Sequence, residues 1–223
     1  MDQLLDNYFN LKILAAAFPG VFSGFWVTVE VALATIALGS GAGLLLAILR
    51  CLRLRPIDAL ITAYVDIFRT LPQLVVIVFA YFGLPYAGIV LSPFAATTLS
   101  LAAVLSAFAA EAFWAAILAL PQGQWDAAQA LGLRFFPTLF RIVLPQAVRI
   151  AIPLLANRAI SITKGTALGT AVSLPEILGQ AESAMAIAAN PSPLTLAALL
   201  YLLFFVPLVI ASRRLERGYA VTG

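Results

Sequence analysis

Five long apolar runs restrict how this chain can fold. The runs cover approximately residues 21–49, 57–82, 87–119, 150–171 and 193–212. Each reaches the length of about 20 mostly apolar residues that a helix needs to cross about 30 Å of hydrocarbon. Only 10% of the 223 residues are charged, whereas a soluble domain averages about 25%. The sequence therefore predicts an all-α integral membrane protein with five transmembrane helices, folded as a single domain over residues 1–223.

Basic residues give the predicted protein an orientation. Nine arginines lie after the first run, between the third and fourth runs, and after the fifth: Arg50, Arg53, Arg55, Arg134, Arg141, Arg149, Arg213, Arg214 and Arg217. The connections near 83–93 and 172–192 contain no Lys or Arg. Because cytoplasmic loops carry the excess of Lys and Arg, we expect the N-terminus outside and the C-terminus in the cytoplasm.

The beginning of the chain contains two smaller signals. Its first residues lack the positive region of a secretory signal, so we expect an interfacial helix outside that ends near Pro19 and Gly20. Within the first apolar run, Gly39 and Gly43 are four residues apart. This spacing predicts close contact with another helix.

Residue types that build other kinds of site are scarce. The chain has no histidine and one cysteine, Cys51, which argues against a disulfide framework, a metal centre and redox chemistry. It contains no G-x-x-x-x-G-K-[ST] phosphate loop. Its basic residues flank apolar runs and do not follow a polar face, so we expect no nucleic-acid partner.

The longest polar connection, residues 121–147, is predicted to form two short helices. Asp126 stands where a carboxylate favours the first turn of a helix. The alanine-rich segment 127–131 is helix-forming, and Gly132 suits a C-terminal stop. A second helix is predicted from an apolar stripe at i, i+3, i+4 and i+7, closed by Pro145. The stripe is Phe136, Leu139, Phe140 and Val143.

This connection has the composition of a docking surface. Small alanines on a short exposed helix allow another protein to approach closely, and the aromatic stripe can anchor the hairpin to the membrane domain. The alternative is an ordinary amphipathic loop that rests on the membrane surface.

The spacing in this loop resembles the coupling loop of membrane subunits of ATP-binding-cassette importers. That pattern is E-A-A, three residues, G, nine residues and I-x-L-P, and here Asp126-Ala127-Ala128, Gly132 and 142–145 keep it. The segments FRTLPQLVVIVFAYFGLP (68–85) and LPQAVRIAIPLLANRAISITKGTALGTAVSLPEIL (144–178) resemble the permeases for polar amino acids, the His/Gln/Glu/Arg/opine branch. Departures occur at 70–71, 114–116 and 165–168, which leaves the substrate open.

The resemblance implies a type I importer permease fold. Two permease subunits, identical or homologous, would surround a translocation path in a bacterial inner membrane. An external amino-acid-binding protein would deliver the substrate, and a cytoplasmic ATPase dimer would bind ATP and Mg²⁺. This chain would then hold no cofactor or metal and would not be an enzyme. The implied ATPase-coupling residues are Asp126, Ala127, Ala128, Leu131, Gly132 and Arg134.

Charged residues at mid-depth point to the path independently of the family. Counted at about 1.5 Å per residue, Glu30, Asp66, Arg69 and Lys164 fall near the bilayer centre and Arg158 nearer the cytoplasm. Each would cost roughly 2.5–3.5 kcal/mol facing lipid. Arg69 or Lys164 could engage a substrate carboxylate, Glu30 or Asp66 an amine, and Asn157 could add neutral hydrogen bonds.

Purely structural roles are the alternative for these charges. Asp66 and Arg69, three apart on one helix, could pair with each other, and Arg158 and Lys164 could hold backbone carbonyls. Glu111, at the inner end of the third run, is a candidate gate residue that pairs with a cytoplasmic-side arginine, or it snorkels to the headgroups.

Two other classes of function are open at this stage. A secondary carrier or channel for small polar solutes, working without an ATPase, would explain buried charges but not the spacing of the loop. A membrane-embedded enzyme would need a nucleophile or a metal cluster, and the lack of histidine weighs against it.

Overall fold

The computed structural model describes residues 2–220, and every regular element in this range is helical. The α-helices are α1 (Asp2–Phe9), α2 (Leu11–Arg50), α3 (Arg55–Thr70), α4 (Gln73–Val78), α5 (Pro93–Ala119), α6 (Gln122–Ala130), α7 (Phe135–Thr138), α8 (Leu144–Thr163), α9 (Ile177–Ala188) and α10 (Ser192–Ala220). Short π-helical segments follow α4 (Phe79–Gly83) and α7 (Leu139–Val143), and 3₁₀ turns cover Leu84–Ala87 and Lys164–Val172.

Four helical segments are long and apolar enough to cross a membrane: Asp6–Arg50, Pro93–Ala119, Phe135–Val172 and Ser192–Arg214. The second predicted run differs, because Arg55–Thr70 and Gln73–Ala87 meet at an angle of 108°. The bend falls at Leu71, which is extended (ψ 134°) ahead of Pro72. Proline disfavours helical backbone in the residue before it, which explains the break. The count is five if this bent pair is one span.

The expected interfacial helix ending at Pro19 and Gly20 is wrong. Helix α1 ends at Phe9, and α2 starts after Asn10, whose side chain accepts hydrogen bonds from the backbone N–H groups of Lys12 and Ile13. Helix α2 then continues through Pro19 to Arg50. A transmembrane helix tolerates proline when its neighbours and small backbone adjustments satisfy the freed carbonyl, so a proline alone did not mark the boundary.

Helix α5 is the most deeply buried element, and α2 packs along it. A Cβ built at Gly39 would lie 2.8 Å from the Leu105 Cβ, and one at Gly43 would lie 2.4 Å from the Ala109 Cβ. The predicted close helix contact at these two glycines is confirmed. Absence of a side chain lets the two backbones approach in a way that a methyl group would prevent.

Pro145 does not close the second hairpin helix as expected. It lies in the first turn of α8, and the chain stays helical from Phe135 through the π-helical turn to Val172. The π-helical turn Leu139–Val143 lies just before this proline, and such local adjustments satisfy the backbone groups that a proline frees. The coupling hairpin, here defined as residues 121–147, is therefore continuous with the next span.

Candidate functional site

The first helix of the coupling hairpin ends as its sequence predicts. Gly132 adopts φ +78°, its N–H donates to the Gln129 carbonyl (2.9 Å), and the Leu133 N–H donates to the Ala128 carbonyl (3.0 Å). The left-handed conformation is one that glycine adopts without strain. This stop fixes the direction in which the chain leaves α6.

Helix α6 has two different faces. Ala128 is buried, and the Trp125 ring stacks on Phe135 with 6.0 Å between centroids, so this side packs on the rest of the hairpin. Away from the Trp125 side of the helix, Ala127 is exposed, and Leu131, which follows the last residue of α6, leaves 81% of its surface uncovered. Leu131 is thus a large apolar side chain left open beside small residues at the end of α6. Asp126 and Arg134 are also exposed there.

Half of the predicted apolar stripe anchors the hairpin. Leu139 and Val143 are fully buried in the core formed by α5 and α8. Phe136 and Phe140 point outward and stack on each other, with 6.4 Å between centroids. Only the aliphatic half of the stripe therefore inserts into the membrane domain.

The segment from α8 to Lys164 carries a polar face that the part of the chain described by the structure leaves uncovered. Asn157, Ser161 and Lys164 recur at i, i+4 and i+7, and all three are exposed, as is Arg158. Ionisable side chains within a membrane face the protein interior or a water-filled cavity. The face therefore requires a cover other than lipid. Ser161 joins the residues predicted from sequence, where it gave no signal because an uncharged hydroxyl is common in membrane helices.

Two arginines from different helices approach one phenyl ring. The guanidinium carbons of Arg69 (α3) and Arg158 (α8) lie 5.2 and 5.0 Å from the centroid of Phe108 on α5. Arg69 also forms an ion pair with Glu111, one turn beyond Phe108. Within the described residues, Arg69 pairs with Glu111 and not with Asp66. Of the two roles considered for Glu111, pairing with an arginine is the one observed, although the arginine comes from α3.

The remaining predicted charges do not join this cluster. Lys164 lies 6.0 Å from the Phe205 ring centroid and lines a groove of about 820 Å³ along α10. Glu30 and Asp66 are exposed on α2 and α3, and neither carboxylate has a hydrogen-bonding partner among the described residues. The predicted pathway residues therefore occupy more than one part of the single chain.

A buried carboxylate that the sequence reasoning left out ties four segments together. Glu176 is fully buried before α9, in the connection expected to be a loop, and it accepts from the Gly179 N–H (2.8 Å) and the Thr170 hydroxyl (3.0 Å). Its other oxygen accepts from the hydroxyls of Thr28 (3.4 Å) and Tyr201. The available signal was an acidic residue just before a short apolar segment.

Residues 39–221 match the model of one protein family, described as "Binding-protein-dependent transport system inner membrane component". The chain belongs to this family. Membership makes it an integral protein of the inner membrane and supports the importer interpretation over a carrier or channel without an ATPase.

Named relatives agree with this family of permeases. The chain is 36% identical over 200 residues to the probable glutamine ABC transporter permease GlnP of Bacillus subtilis (strain 168), covering 88% of this chain and 92% of that one. It is 33% identical over 215 residues to the probable glutamine permease GlnM of the same organism, covering 94% and 100%. The arginine permease ArtQ of Escherichia coli (strain K12) is 29% identical over 181 residues, covering 70% and 76%.

Solved permeases share the fold. An amino acid ABC transporter crystallised with histidines superposes with a TM-score of 0.81 at 25% identity, over 92% of this chain and 96% of that one. The MetNI methionine transporter, in an inward-facing conformation, gives 0.67 at 21% identity over 93% and 98%. The predicted importer permease fold is confirmed.

Proposed function

We propose that this chain is the permease subunit of an ATP-driven importer of polar or charged amino acids. An ATPase dimer grips the coupling hairpin from the cytoplasm, a second permease subunit, identical or homologous, completes the path, and an external protein delivers the substrate. ATP and Mg²⁺ stay on the ATPase. The names of the relatives support the substrate class, since they include glutamine, arginine and cystine permeases.

The observation that carries this proposal is the outward face of α6. Leu131 and Ala127 offer an apolar and small-residue surface, while the Trp125 ring, on the other side of the helix, and the buried Ala128 hold the helix to the membrane domain. An ATPase could therefore bind the exposed face of this helix while the packed face keeps the helix attached to the membrane domain.

A movement of the coupling hairpin would be transmitted directly to the membrane-spanning part of the chain. The segment Phe135–Val172 is helical over 38 residues and joins the second half of the hairpin to the polar face of α8. Rotation of the hairpin therefore moves Asn157, Arg158 and Lys164 as well. A pair of such segments, one from each permease, would alternate between outward-open and inward-open states.

The substrate contacts follow from charge. Arg158 and Lys164 are the candidates for binding a carboxylate, and Asn157 would add neutral hydrogen bonds. Glu30 and Asp66, whose carboxylates have no hydrogen-bonding partner among the described residues, are the candidates for binding an amine. Arg69 and Glu111 already hold each other, so their proposed role is to close the path on its inner side.

The decisive experiment compares two exposed apolar residues at opposite ends of the domain. Leu131→Lys should remove the ATPase from the purified complex and abolish uptake, because it places a charge on the gripped face. Ile187→Lys is the matched control, since Ile187 is 89% exposed on α9 at the other end of the domain, and it should change neither. Retention of the ATPase and of uptake in Leu131→Lys would refute the proposal.

Substrate contacts and orientation have separate tests. Uptake assays of Lys164→Ala, Arg158→Ala and Glu30→Gln should show weaker apparent affinity, and unchanged affinity in all three would remove these residues from the path. In a Cys51→Ser background, a cysteine at Ile187 should react with an impermeant thiol reagent in intact cells. A cysteine at Gln124 should react only after permeabilisation.

Mass spectrometry of the assembled complex would identify its second permease, its ATPase and any retained amino acid. Transport that proceeds with no ATPase present would instead favour a secondary carrier.

A further inference from the structure

A cavity of about 450 Å³ lies between the α2–α3 turn and the coupling hairpin. Arg53 contributes from the turn, Trp114 and Leu118 from the end of α5, and Gln122, Trp125 and Gln129 from α6. Its volume falls within the range of about 300–1,000 Å³ that is usual for small-molecule sites. On the proposed function, which this inference uses for its orientation, the cavity lies at the cytoplasmic surface of the membrane.

The charge of the cavity favours an anion. Among the described residues its lining contains Arg53 and two glutamine amides but no carboxylate; one of the amides, Gln122 Nε2, also donates to Asp126 Oδ1 (3.4 Å), which lies outside the lining. Arg50, on the same turn, is already occupied, since its Nε donates to Asp58 Oδ1 (2.8 Å) and its guanidinium lies 5.0 Å from the Trp114 ring centroid. Arg53 is exposed and has no ion-pair partner among the described residues. A free guanidinium with amide donors suits a phosphate group.

Arg53 is held in an unusual backbone conformation. Its φ is +54°, in the left-handed region that costs a non-glycine residue about 1–2 kcal/mol. Glycine or asparagine would occupy this turn with less strain. Strained residues concentrate where a site uses their side chains.

The rim of the cavity favours a lipid over a soluble anion. Leu118 is 63% and Phe136 55% exposed, and both line the cavity. Trp114 and Trp125 stand beside them, as tryptophans do at the headgroup level of a bilayer. Acyl chains could lie along this apolar rim while the phosphate lies inside, whereas inorganic phosphate would gain nothing from it.

We propose that this cavity binds the phosphate headgroup of an anionic phospholipid from the cytoplasmic leaflet, and that the bound lipid braces the coupling hairpin against the α2–α3 turn. The lipid would not compete with the ATPase. On α6 the cavity residues Gln122, Trp125 and Gln129 recur at i, i+3 and i+7, whereas Ala127 and Leu131 point to the opposite side of the helix. Lipid and ATPase thus hold the same helix from two sides.

The test uses the assembled complex in lipid nanodiscs, with phosphatidylcholine alone or with added phosphatidylglycerol. Arg53→Asn removes the charge and tolerates the backbone conformation, and Arg55→Asn is the control, since Arg55 is exposed two residues on and lies outside the cavity lining. Native mass spectrometry should show phosphatidylglycerol retained by wild type and Arg55→Asn. Retention by Arg53→Asn should fall about fivefold, the equivalent of about 1 kcal/mol per basic residue at an anionic surface.

Cys51, the only cysteine of the chain, provides a second readout because it also lines the cavity. Burial raises the pKa of the Cys51 thiol, so labelling is carried out at alkaline pH. Phosphatidylglycerol should slow labelling in wild type and in Arg55→Asn but not in Arg53→Asn.

The lipid site would be overturned if Arg53→Asn retained as much phosphatidylglycerol as wild type and if the lipid protected Cys51 from labelling equally in both. Equal protection by inorganic phosphate in pure phosphatidylcholine would also overturn it, in favour of a soluble anion. Failure of the proposed function is recognised separately, because it would appear as ATPase retention in Leu131→Lys whatever the lipid result.

Discussion

Gly43→Ala tests the closest helix contact in the protein. A methyl group at Gly43 would lie 2.4 Å from the Ala109 Cβ, 2.8 Å from the Ser106 carbonyl oxygen and 2.9 Å from the Ala110 nitrogen. None of these atoms can rotate away, because two belong to the α5 backbone and the third is fixed to it. Since carbon atoms rest about 3.5–4.0 Å apart, α2 and α5 would have to separate by about 1 Å.

The expected cost combines two opposing contributions. Inserting a methyl group into a packed site costs typically about 1–3 kcal/mol. Replacing a glycine in the interior of a helix by alanine stabilises the helix by up to about 1 kcal/mol, because alanine has the higher helix propensity. Because the contact involves backbone, we expect the upper part of the packing range and a net loss of about 2 kcal/mol. Gly39→Ala should lose less stability, since two of its three close atoms are the Leu105 Cγ and Cδ2, which can move with the side chain.

Gly41→Ala is the matched control on the same helix. A Cβ at Gly41 meets no atom of the described residues within 4 Å. This variant should therefore gain the helix propensity of alanine without any packing cost. Thermal unfolding of the purified complex, followed by the loss of its monodisperse chromatographic peak, compares the variants. With about 2–4 °C for each kcal/mol in a protein of this size, Gly43→Ala should unfold several degrees lower. Equal midpoints for Gly43→Ala and Gly41→Ala would refute the close packing of α2 on α5.

Three further predictions concern the buried carboxylate, the hairpin stop and the inner ion pair. Glu176→Ala should lower the unfolding midpoint strongly, because each buried donor left without an acceptor costs about 1–3 kcal/mol; Glu176→Gln should recover part of the loss. Gly132→Ala should weaken ATPase retention by straining a left-handed position by about 1 kcal/mol, and Gly132→Asn should be milder. Arg69→Glu and Glu111→Arg should each reduce stability and uptake, and the double exchange should restore both.

Different results would contradict each of these statements. The hydroxyls of Thr28 and Thr170 also donate to the carbonyls of Gly24 and Ala167, so a midpoint of Glu176→Ala equal to that of wild type would mean that the Gly179 N–H and the Tyr201 hydroxyl find other acceptors. Normal ATPase retention in Gly132→Ala would mean that the hairpin relaxes at no cost. Additive effects in the charge exchange would show that the Arg69–Glu111 pair contributes nothing to the fold or to transport.

Local rules predicted the parts of the molecule that neighbouring residues determine. The stop at Gly132 depends on one backbone conformation, and the glycine contact on α2 depends on a four-residue spacing. The bend in the second run was also local, since Leu71 precedes Pro72, but hydropathy over the whole run concealed it. Proline failed as a boundary signal at Pro19 and Pro145, because a helix continues past a proline wherever other partners take the unpaired carbonyl.

Contacts between distant parts of the chain were not predictable in this way. Thr28 and Glu176 are separated by 148 positions, and no periodicity in one element indicates that they meet. The same holds for Arg69 and Glu111, whose pairing depends on how α3 is bent against α5. Sequence reasoning recognised both charges but offered Arg69 a partner on its own helix, the only partner that spacing can supply.

The polar face of α8 shows why the candidate site could be located but not completed. Asn157, Arg158 and Lys164 lie along one helical segment, so counting residues predicts their depth in the membrane. Their exposure in a single chain means that half of their surroundings must come from elsewhere. Facing lipid would cost roughly 2.5–3.5 kcal/mol for each charge, so a partner that covers this face gains stability simply by sheltering it. On the proposed function, the charges that would bind substrate would thus also favour assembly of two permease subunits around the path.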